Sequence, residues 1–139
     1  MSDYLLPTVA LETTDLMDAF EYEKHPDLTY KLTETRVAGY VDGLEAYRQA
    51  VVKILNTERY EYLIYSWNYG IELKDLFGQP VPYVVPELER RITEAIMQDD
   101  RTESVGNFKF DTSKFGVVAV TFTATSIYGE TNQQLTVAI

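Results

Sequence analysis

Glu72 and Asp75 are the first side chains in this sequence that could do chemistry. They lie three residues apart beside the most aromatic stretch of the chain, and this spacing places both carboxylates on one face of a helical turn. Glycosidases use such a pair as acid and as nucleophile or base. Acidic side chains on the outer side of an amphipathic turn are more often simply hydrated, so we favour no catalytic role for this pair.

The residue types give even less support to metal binding, nucleophilic catalysis or phosphate binding. His25 is the only histidine and precedes Pro26, so it has no partner at a spacing known for a metal site or a Ser-His pair. The chain has no Cys, which excludes disulfides, thiolate ligands and thiol nucleophiles. Gly70 and Gly78 do not belong to a phosphate-binding loop. We therefore predict no catalytic residue, no cofactor and no metal.

The stretch from Asn56 to Pro80 is the better candidate for a binding site. Within ten residues it contains five aromatic rings, followed directly by a glycine. The rings could stack on a sugar, but a mixed role in the core and in a protein interface is the commoner use of Tyr and Trp. The predicted partner interface consists of Tyr60, Tyr62, Tyr65, Trp67, Tyr69, Gly70, Gln79 and Pro80.

Length and composition indicate a soluble globular protein. A chain of 139 residues is long enough to bury a core without metals or disulfides, and a hydrophobic content of 45% argues against disorder. The formal net charge is −10, so a phosphate backbone would be repelled and we expect no nucleic-acid partner. No apolar run approaches the roughly 20 residues that cross a bilayer, and the N-terminus has no basic region before an apolar one. We expect a protein made in the cytoplasm, without a membrane partner.

The start of the chain differs from the rest. Residues 1–34 contain eight acidic and two basic side chains and show no sustained period, although Thr13-Thr14-Asp15 could cap one short helical turn. Its apolar side chains, which are unfavourable in water, are Leu5, Leu6, Val9, Leu11, Leu16, Met17 and Phe20. We predict an extended acidic arm, residues 1–35, that lies on its own domain or on a partner, and a single α+β domain, residues 36–139.

Two short strands and a helix are predicted next. Leu28–Leu32 alternates apolar and polar residues, and Arg36–Val41 is rich in strand-forming residues. Asp42 supplies an N-cap oxygen, with Glu45 three residues later to complete a capping box, for a helix that ends near Asn56. The apolar stripe of this helix consists of Leu44, Tyr47, Val51, Ile54 and Leu55.

The middle of the chain predicts a strand, a turn and a second helix. Tyr62–Trp67 combines β-branched and aromatic residues, which favours a strand. The apolar spacing after Gly70 predicts a short helical turn that stops at Gly78. Pro86 starts the second helix or lies in its first turn. The buried face of this helix is Leu88, Ile92, Ala95 and Ile96, and its hydrated face is Glu87, Glu89, Arg90, Arg91 and Glu94.

From Val105 onwards the pattern changes to period two, which predicts three consecutive antiparallel strands with turns at Asp111–Gly116 and Ile127–Glu130. The fold class is therefore α+β, with two main helices on one face of a mainly antiparallel sheet and a Thr-rich, hydrated opposite face. The chain ends on a strand whose edge could pair with a strand of another chain. The residues of this predicted edge are Leu135, Thr136, Val137, Ala138 and Ile139.

Three segments give the chain a resemblance to a known family. They are KILNTERYEYLIYSWNYGIELKDLFGQP, PELERRITEAIMQDDR and SVGNFKF, and a Thr-rich final hairpin follows them. Their order resembles the baseplate wedge proteins of contractile phage tails, in particular the XkdS-like branch of Gram-positive phages, prophages and tail-like bacteriocins. The broader family, some of whose members are labelled lysozyme, includes the gene 25 product of phage T4. The resemblance covers residues 36–139, but the broader family's acid-Pro-Arg motif is missing, since the corresponding place reads Phe77-Gly78-Gln79-Pro80.

The resemblance implies a structural, non-enzymatic protein of the inner baseplate, present in many copies and assembled in the host cytoplasm. Family members join the wedge helices around the tail tube and offer a β-structure on which the first sheath ring assembles. The implied partners are other wedge proteins, sheath subunits and tube-proximal hub proteins, with Leu135–Ile139 as the sheath-facing edge. The lysozyme label implies an alternative, a peptidoglycan-hydrolysing tail enzyme, for which nothing else in the sequence gives support.

Overall fold

The computed structural model describes residues 27–139, which form an α+β domain. The predictions that concern residues 1–26, among them most of the arm, the helical turn near Thr13 and His25, lie outside the described residues. The elements are β1 Thr29–Leu32, β2 Val37–Val41, α1 Gly43–Leu55, a 3₁₀ turn Lys74–Leu76, α2 Val81–Met97, β3 Thr102–Asp111, β4 Val117–Ser126 and β5 Gly129–Ala138. The predicted fold class, including the C-terminal meander, is confirmed.

The two predicted short strands are present as β1 and β2, which form an antiparallel hairpin in which the rings of Tyr30 and Tyr40 stack at 5.2 Å. A two-stranded hairpin is only marginally stable in water by itself. Gln49 of α1 supports it with both ends of its amide. The N–H of Leu32 donates to Gln49 Oε1 at 2.9 Å, and Gln49 Nε2 donates to the carbonyl of Tyr30 at 2.7 Å. One side chain thus joins the hairpin to the first helix.

The first helix begins where the sequence predicts it. Asp42 Oδ1 accepts the N–H of Gly43 at 2.8 Å, which satisfies one of the unpaired donors at the helix start. Glu45, predicted as the second half of a capping box, instead forms an ion pair with Lys31 at 3.6 Å. The buried residues of α1 are Ala46, Tyr47, Val51, Ile54 and Leu55. Leu44 was predicted in this stripe but is exposed in the first turn.

The second helix begins earlier than predicted. It starts at Val81, with Pro80 as N-cap and Pro82 in the first turn, so Pro86 lies inside the helix rather than at its start. Pro86 has no N–H to donate to the carbonyl of Pro82, but both residues are exposed, so water can satisfy that carbonyl. The predicted buried face, Leu88, Ile92, Ala95 and Ile96, is confirmed.

The three-stranded sheet has the order β3-β4-β5. β4 alternates fully buried residues with more exposed ones, and the exposed face carries the threonines, as predicted. β4 and β5 pair in one unbroken register from Val117↔Ala138 to Ser126↔Gly129. β3 pairs with β4 less regularly, because its register shifts twice, once between Thr102 and Ser104 and once between Gly106 and Lys109.

The core lies between the two helices and the inner face of this sheet. Tyr47 of α1 is completely buried, and its hydroxyl lies 2.8 Å from the Oγ1 of Thr102, which donates to the carbonyl of Ile96 at 3.0 Å. This chain of hydrogen bonds links α1, β3 and α2. The buried apolar cluster around it comprises Tyr47, Val51, Ile54, Leu55, Ile71, Leu76, Val84, Leu88, Ile92, Ala95, Ile96, Val118, Val120, Phe122, Ala124 and Val137.

Candidate functional site: an apolar loop and an open sheet edge

The predicted strand Tyr62–Trp67 is wrong, because the chain forms a series of turns there. The N–H of Tyr65 donates to the carbonyl of Tyr62 at 3.3 Å, and the N–H of Tyr69 donates to that of Ser66 at 3.0 Å. Tyr60 has a φ of 69°, which is rare for a residue other than Gly or Asn. Residues 60–69, called here the aromatic loop, therefore leave the domain and return to it within ten residues.

The base of the aromatic loop is closed by backbone hydrogen bonds. The N–H of Ile71 donates to the carbonyl of Thr57 at 3.0 Å, and the N–H of Arg59 donates to that of Ile71 at 3.1 Å. Gly70 completes this contact: its φ is +95°, and a Cβ placed on it would lie 2.5 Å from the carbonyl oxygen of Thr57. Only glycine fits at this position without a shift of the backbone.

Side chains strengthen the same base. The carboxylate of Glu58 accepts the N–H of Leu73 at 3.1 Å and that of Lys74 at 3.2 Å, so it caps the 3₁₀ turn. Lys74 in turn pairs with Glu61 at 2.6 Å. Arg59 Nε donates to the carbonyl of Gly70 at 3.2 Å. The loop is thus fixed at its base by main-chain and side-chain contacts.

Some rings of the aromatic loop pack on one another or against the core, and others are exposed to solvent. Tyr65 stacks on Tyr69 at 4.6 Å between ring centres, and Tyr62 meets Tyr65 edge to face at 6.2 Å. Tyr69 is partly buried against the core, whereas Trp67 is 79% exposed. The predicted interface residues Gln79 and Pro80 are exposed as well, and Pro80 serves as the N-cap of α2.

The most exposed residues of the loop escaped the sequence analysis. Leu63 and Ile64 are 103% and 85% exposed at its tip. The predicted strand hid them, because a strand would bury one of two neighbouring apolar side chains. Their type and position inside an aromatic run were nevertheless visible in the sequence.

The two candidate catalytic carboxylates, Glu72 and Asp75, lie in different environments. Asp75 forms a bidentate ion pair with Arg91, whose Nη2 lies 2.9 Å from Asp75 Oδ2, and the hydrogen bond from Arg91 lowers the pKa of Asp75 below its usual value. Glu72 takes part through its carbonyl, which accepts from Arg91 Nη1 at 2.9 Å. A general acid requires the opposite shift, a raised pKa.

Arg91 was predicted on the hydrated face of the second helix, and this prediction is wrong. Its side chain is only 8% exposed, and its Nε also donates to Glu87 Oε2 at 3.1 Å. A guanidinium tolerates this burial because two carboxylates and a backbone carbonyl satisfy it. It ties α2 to the 3₁₀ turn.

A polar groove lies on the side of the aromatic loop that faces the end of α2. Its volume is about 460 Å³, and its lining includes Asp27, Ser66, Asn68, Asp99, Asp100 and Arg101. Arg101 Nη2 lies 2.6 Å from Asp99 Oδ2 and its Nη1 lies 3.6 Å from Asp27 Oδ2. Two carboxylates therefore contact one guanidinium, and Asp100 adds a third carboxylate to the lining. We call this feature the acidic groove.

β5 forms one edge of the three-stranded sheet. The N–H of Ile139 donates to the carbonyl of Gly116 at 2.9 Å, which fixes the alternation: odd-numbered residues of the strand bond to β4 and even-numbered ones direct their N–H and C=O groups outward. In the predicted edge, Leu135, Val137 and Ile139 pack toward the core, whereas Thr136 and Ala138 are exposed and offer the free backbone groups.

The opposite edge is less suited to pairing. β3 carries two irregularities in register, and Asn107, which lies within the second one, has a φ of 56°. Bulges of this kind are a usual means of blocking an exposed sheet edge. Within residues 27–139, the edge that is both regular and unpaired is therefore that of β5.

Within residues 27–139, no helix is long and apolar enough to cross a membrane, and no three acidic or histidine side chains cluster in a way that could hold a metal ion. A fixed apolar loop and an open strand edge are instead features of a domain that binds other proteins. Residues 20–129 match the family of contractile injection system sheath initiators. The chain therefore belongs to this family, whose members act in the assembly of a contractile sheath.

One relative gives a more specific comparison than the family does. The chain is similar to the phage-like element PBSX protein XkdS of Bacillus subtilis (strain 168), with 43% identity over 74 residues. The match covers 51% of this chain and 52% of that protein, so the chain spans about half the length of the curated relative that it matches. Both findings agree with the XkdS-like, contractile-tail part of the resemblance.

Proposed function

We propose that this chain is a structural subunit of the inner baseplate of a contractile phage tail or tail-like particle, and that it starts the first sheath ring by strand exchange. The observation that carries the proposal is the open edge of β5, which is ten residues long and paired with β4 without interruption. Membership in the sheath-initiator family supports the same role. The baseplate of the particle would be its final location, after assembly in the host cytoplasm.

The sheath subunit would add one strand to the outer side of β5. Alternate residues of that strand, including Thr136 and Ala138, offer unpaired backbone groups, and each new hydrogen bond contributes about 0.5–1.5 kcal/mol. A few such bonds give a weak single contact. Several copies around the tail would bind one sheath ring together, and this multivalency makes weak contacts sufficient.

The contacts with other wedge proteins and with tube-proximal hub proteins would lie elsewhere on the domain. We assign them to the exposed part of the aromatic loop together with Gln79 and Pro80. These residues occupy the connection between α1 and α2, whereas the sheath-binding edge belongs to β5. One copy can therefore bind the baseplate and the sheath through different segments.

A peptidoglycan-hydrolysing enzyme is the rival function. Asp75 would be its acid or nucleophile, yet its carboxylate is engaged by Arg91 and its pKa is lowered. A lowered pKa is unsuited to a general acid, and the pairing with Arg91 supports a structural role for Asp75 and a non-enzymatic protein. Hydrolysis of purified peptidoglycan by the folded protein, lost in Asp75→Asn, would contradict this assignment.

The strand-exchange step can be tested by a double substitution on the outer side of β5. Thr136→Pro with Ala138→Pro removes two outward N–H groups but no donor to β4. Deleting Leu135–Ile139 would be less selective, because it would also remove the buried Val137. We expect the double variant to remain folded, to enter the baseplate and to fail to start a sheath.

The measurement is electron microscopy of particles made in cells whose own copy of the gene is deleted. Thr136→Val is the matched control, because it changes the same side chain and keeps the N–H. Normal sheaths on baseplates that contain the double-proline variant would refute strand exchange at this edge.

A further inference from the structure

The tip of the aromatic loop presents apolar side chains that nothing in residues 27–139 covers. Leu63, Ile64 and Trp67 are almost fully exposed, within five consecutive residues. Isolated exposed apolar residues are common on proteins, but a contiguous group marks a surface that another molecule covers. Within residues 60–69, only Tyr69 packs against the core.

The exposure does not result from a loosely held segment. The base of the loop is closed by the contacts of Thr57, Arg59 and Ile71, and Glu58 fixes the residues that follow it. Stacking of Tyr65 on Tyr69 supports the returning half of the loop. Because the base and the returning half of the loop are already fixed, less conformational entropy is lost on binding than for a free segment.

The acidic groove on the flank of the loop defines the charge of the partner. Asp99 is paired with Arg101, but Asp100 forms no ion pair within the described residues and is exposed. A partner that receives the tip would place its own side chains beside these carboxylates. Basic side chains there are favoured, and acidic ones are repelled.

The negative charge of the groove distinguishes three candidate partners of the tip: a second copy of the chain, a membrane and another protein subunit. A second copy of the chain would bring a second acidic groove, and each copy carries a net charge of −10. An anionic bilayer surface would be repelled for the same reason. A protein subunit with an apolar cleft and Lys or Arg at its rim matches both the tip and its flank.

We infer that the aromatic loop is a preformed anchor: Leu63, Ile64 and Trp67 insert into an apolar, basic-rimmed cleft of another baseplate subunit and hold the chain before any sheath is present. The inference rests on the proposed function and deepens it, because it assigns the baseplate contact to the apolar tip rather than to the tyrosine rings.

The chain contains no Cys, so one introduced thiol reports on one position. Ser66→Cys places it inside the loop, between Tyr65 and Trp67, and Ser113→Cys places it in the turn between β3 and β4; both serines are exposed. The rate of maleimide labelling is measured for the purified chain and for complete baseplates. Ser66 borders the acidic groove, and nearby carboxylates slow thiolate reactions, so the rate in baseplates is divided by the rate in the free chain at each position. We expect this ratio to be at least tenfold lower for position 66 than for position 113.

Two further arms use the free chain. Vesicles of phosphatidylcholine, alone or with phosphatidylglycerol, should leave the labelling of position 66 unchanged, and sedimentation should show a monomer. Protection by vesicles, or protection that accompanies dimerisation, would overturn the inference in favour of a membrane or a second copy.

Substitution of the tip gives the energetic test. Leu63→Ser with Ile64→Ser should weaken binding to baseplates made without this chain by at least about thirtyfold, the effect of losing one interface hot spot. The control, Phe115→Ser, removes an equally exposed apolar side chain from the β3–β4 turn and should bind normally. Both variants should melt at the same temperature as the parent, since neither changes a buried group.

The outcomes separate the inference from the proposed function. If the chain is absent from baseplates, both fail. If it is present but baseplate assembly slows labelling no more at position 66 than at position 113, or the tip variant binds normally, only the anchor is refuted. The double-proline variant of β5 should keep position 66 protected, because it leaves the baseplate contact intact.

Discussion

Replacement of Gly70 by Ala should destabilise the domain far more than the same change at Gly78. Both glycines have a positive φ, +95° and +81°, and an L-residue in that region costs about 1–2 kcal/mol. They differ in their surroundings. A Cβ at Gly70 would lie 2.5 Å from the carbonyl oxygen of Thr57, whereas a Cβ at Gly78 would meet no heavy atom within 4 Å.

The contact with Thr57 adds an overpacking term of about 1–3 kcal/mol. The expected loss in the free energy of unfolding is therefore about 2–5 kcal/mol for Gly70→Ala and about 1–2 kcal/mol for Gly78→Ala. The carbonyl of Thr57 cannot move freely, because it accepts the N–H of Ile71 at 3.0 Å. The backbone at the base of the aromatic loop must shift instead.

Urea unfolding followed by far-ultraviolet circular dichroism measures both values. The slope of the free energy against urea should stay constant, so that the change appears in the midpoint. Equal destabilisation by the two substitutions would refute the reasoning, because it would show that the contact with Thr57 costs nothing. Chymotrypsin should also cleave the loop faster in Gly70→Ala, as expected when a local opening becomes easier.

Two other predictions concern polar contacts between side chains. The pKa of Asp75 is lowered from its usual value of 3.8, so its ion pair stabilises the fold above about pH 4 and is lost as the pH falls through the lowered value. Asp75→Asn should therefore reduce stability at pH 7 and make the decline of stability in acid less steep. Thermal unfolding between pH 2 and 7 measures both effects. Tyr47→Phe removes the hydroxyl that contacts Thr102 and should cost about 1 kcal/mol in urea unfolding, and a neutral result would mean that Ile96 alone satisfies Thr102.

The parts of the fold that the sequence predicts are those whose patterns are local. α1 has a capping residue and an apolar stripe, and both are found. The strands of the meander alternate because one face of the sheet is buried, and this period is visible without knowledge of the neighbours. The open edge at Leu135–Ile139 follows from the order of these strands.

The predictions that fail depend on partners distant in sequence. Tyr62–Trp67 has strand-forming residues, but strand propensity reflects packing against neighbouring strands, and here the chain is held by Gly70 and Thr57 instead. Arg91 occupies a helix position that would ordinarily be hydrated, and its burial depends on Asp75, which is 16 residues away. The α2 start is missed because three prolines within seven residues allow several first turns.

The difference between the two edges of the sheet sets how many strands one copy can accept. β5 is regular and β3 is interrupted at two places, so two copies cannot join β3 to β5 in a continuous ladder. In the proposed strand exchange, each copy would therefore accept one added strand, at β5, and a ring of copies would receive as many strands as it has copies.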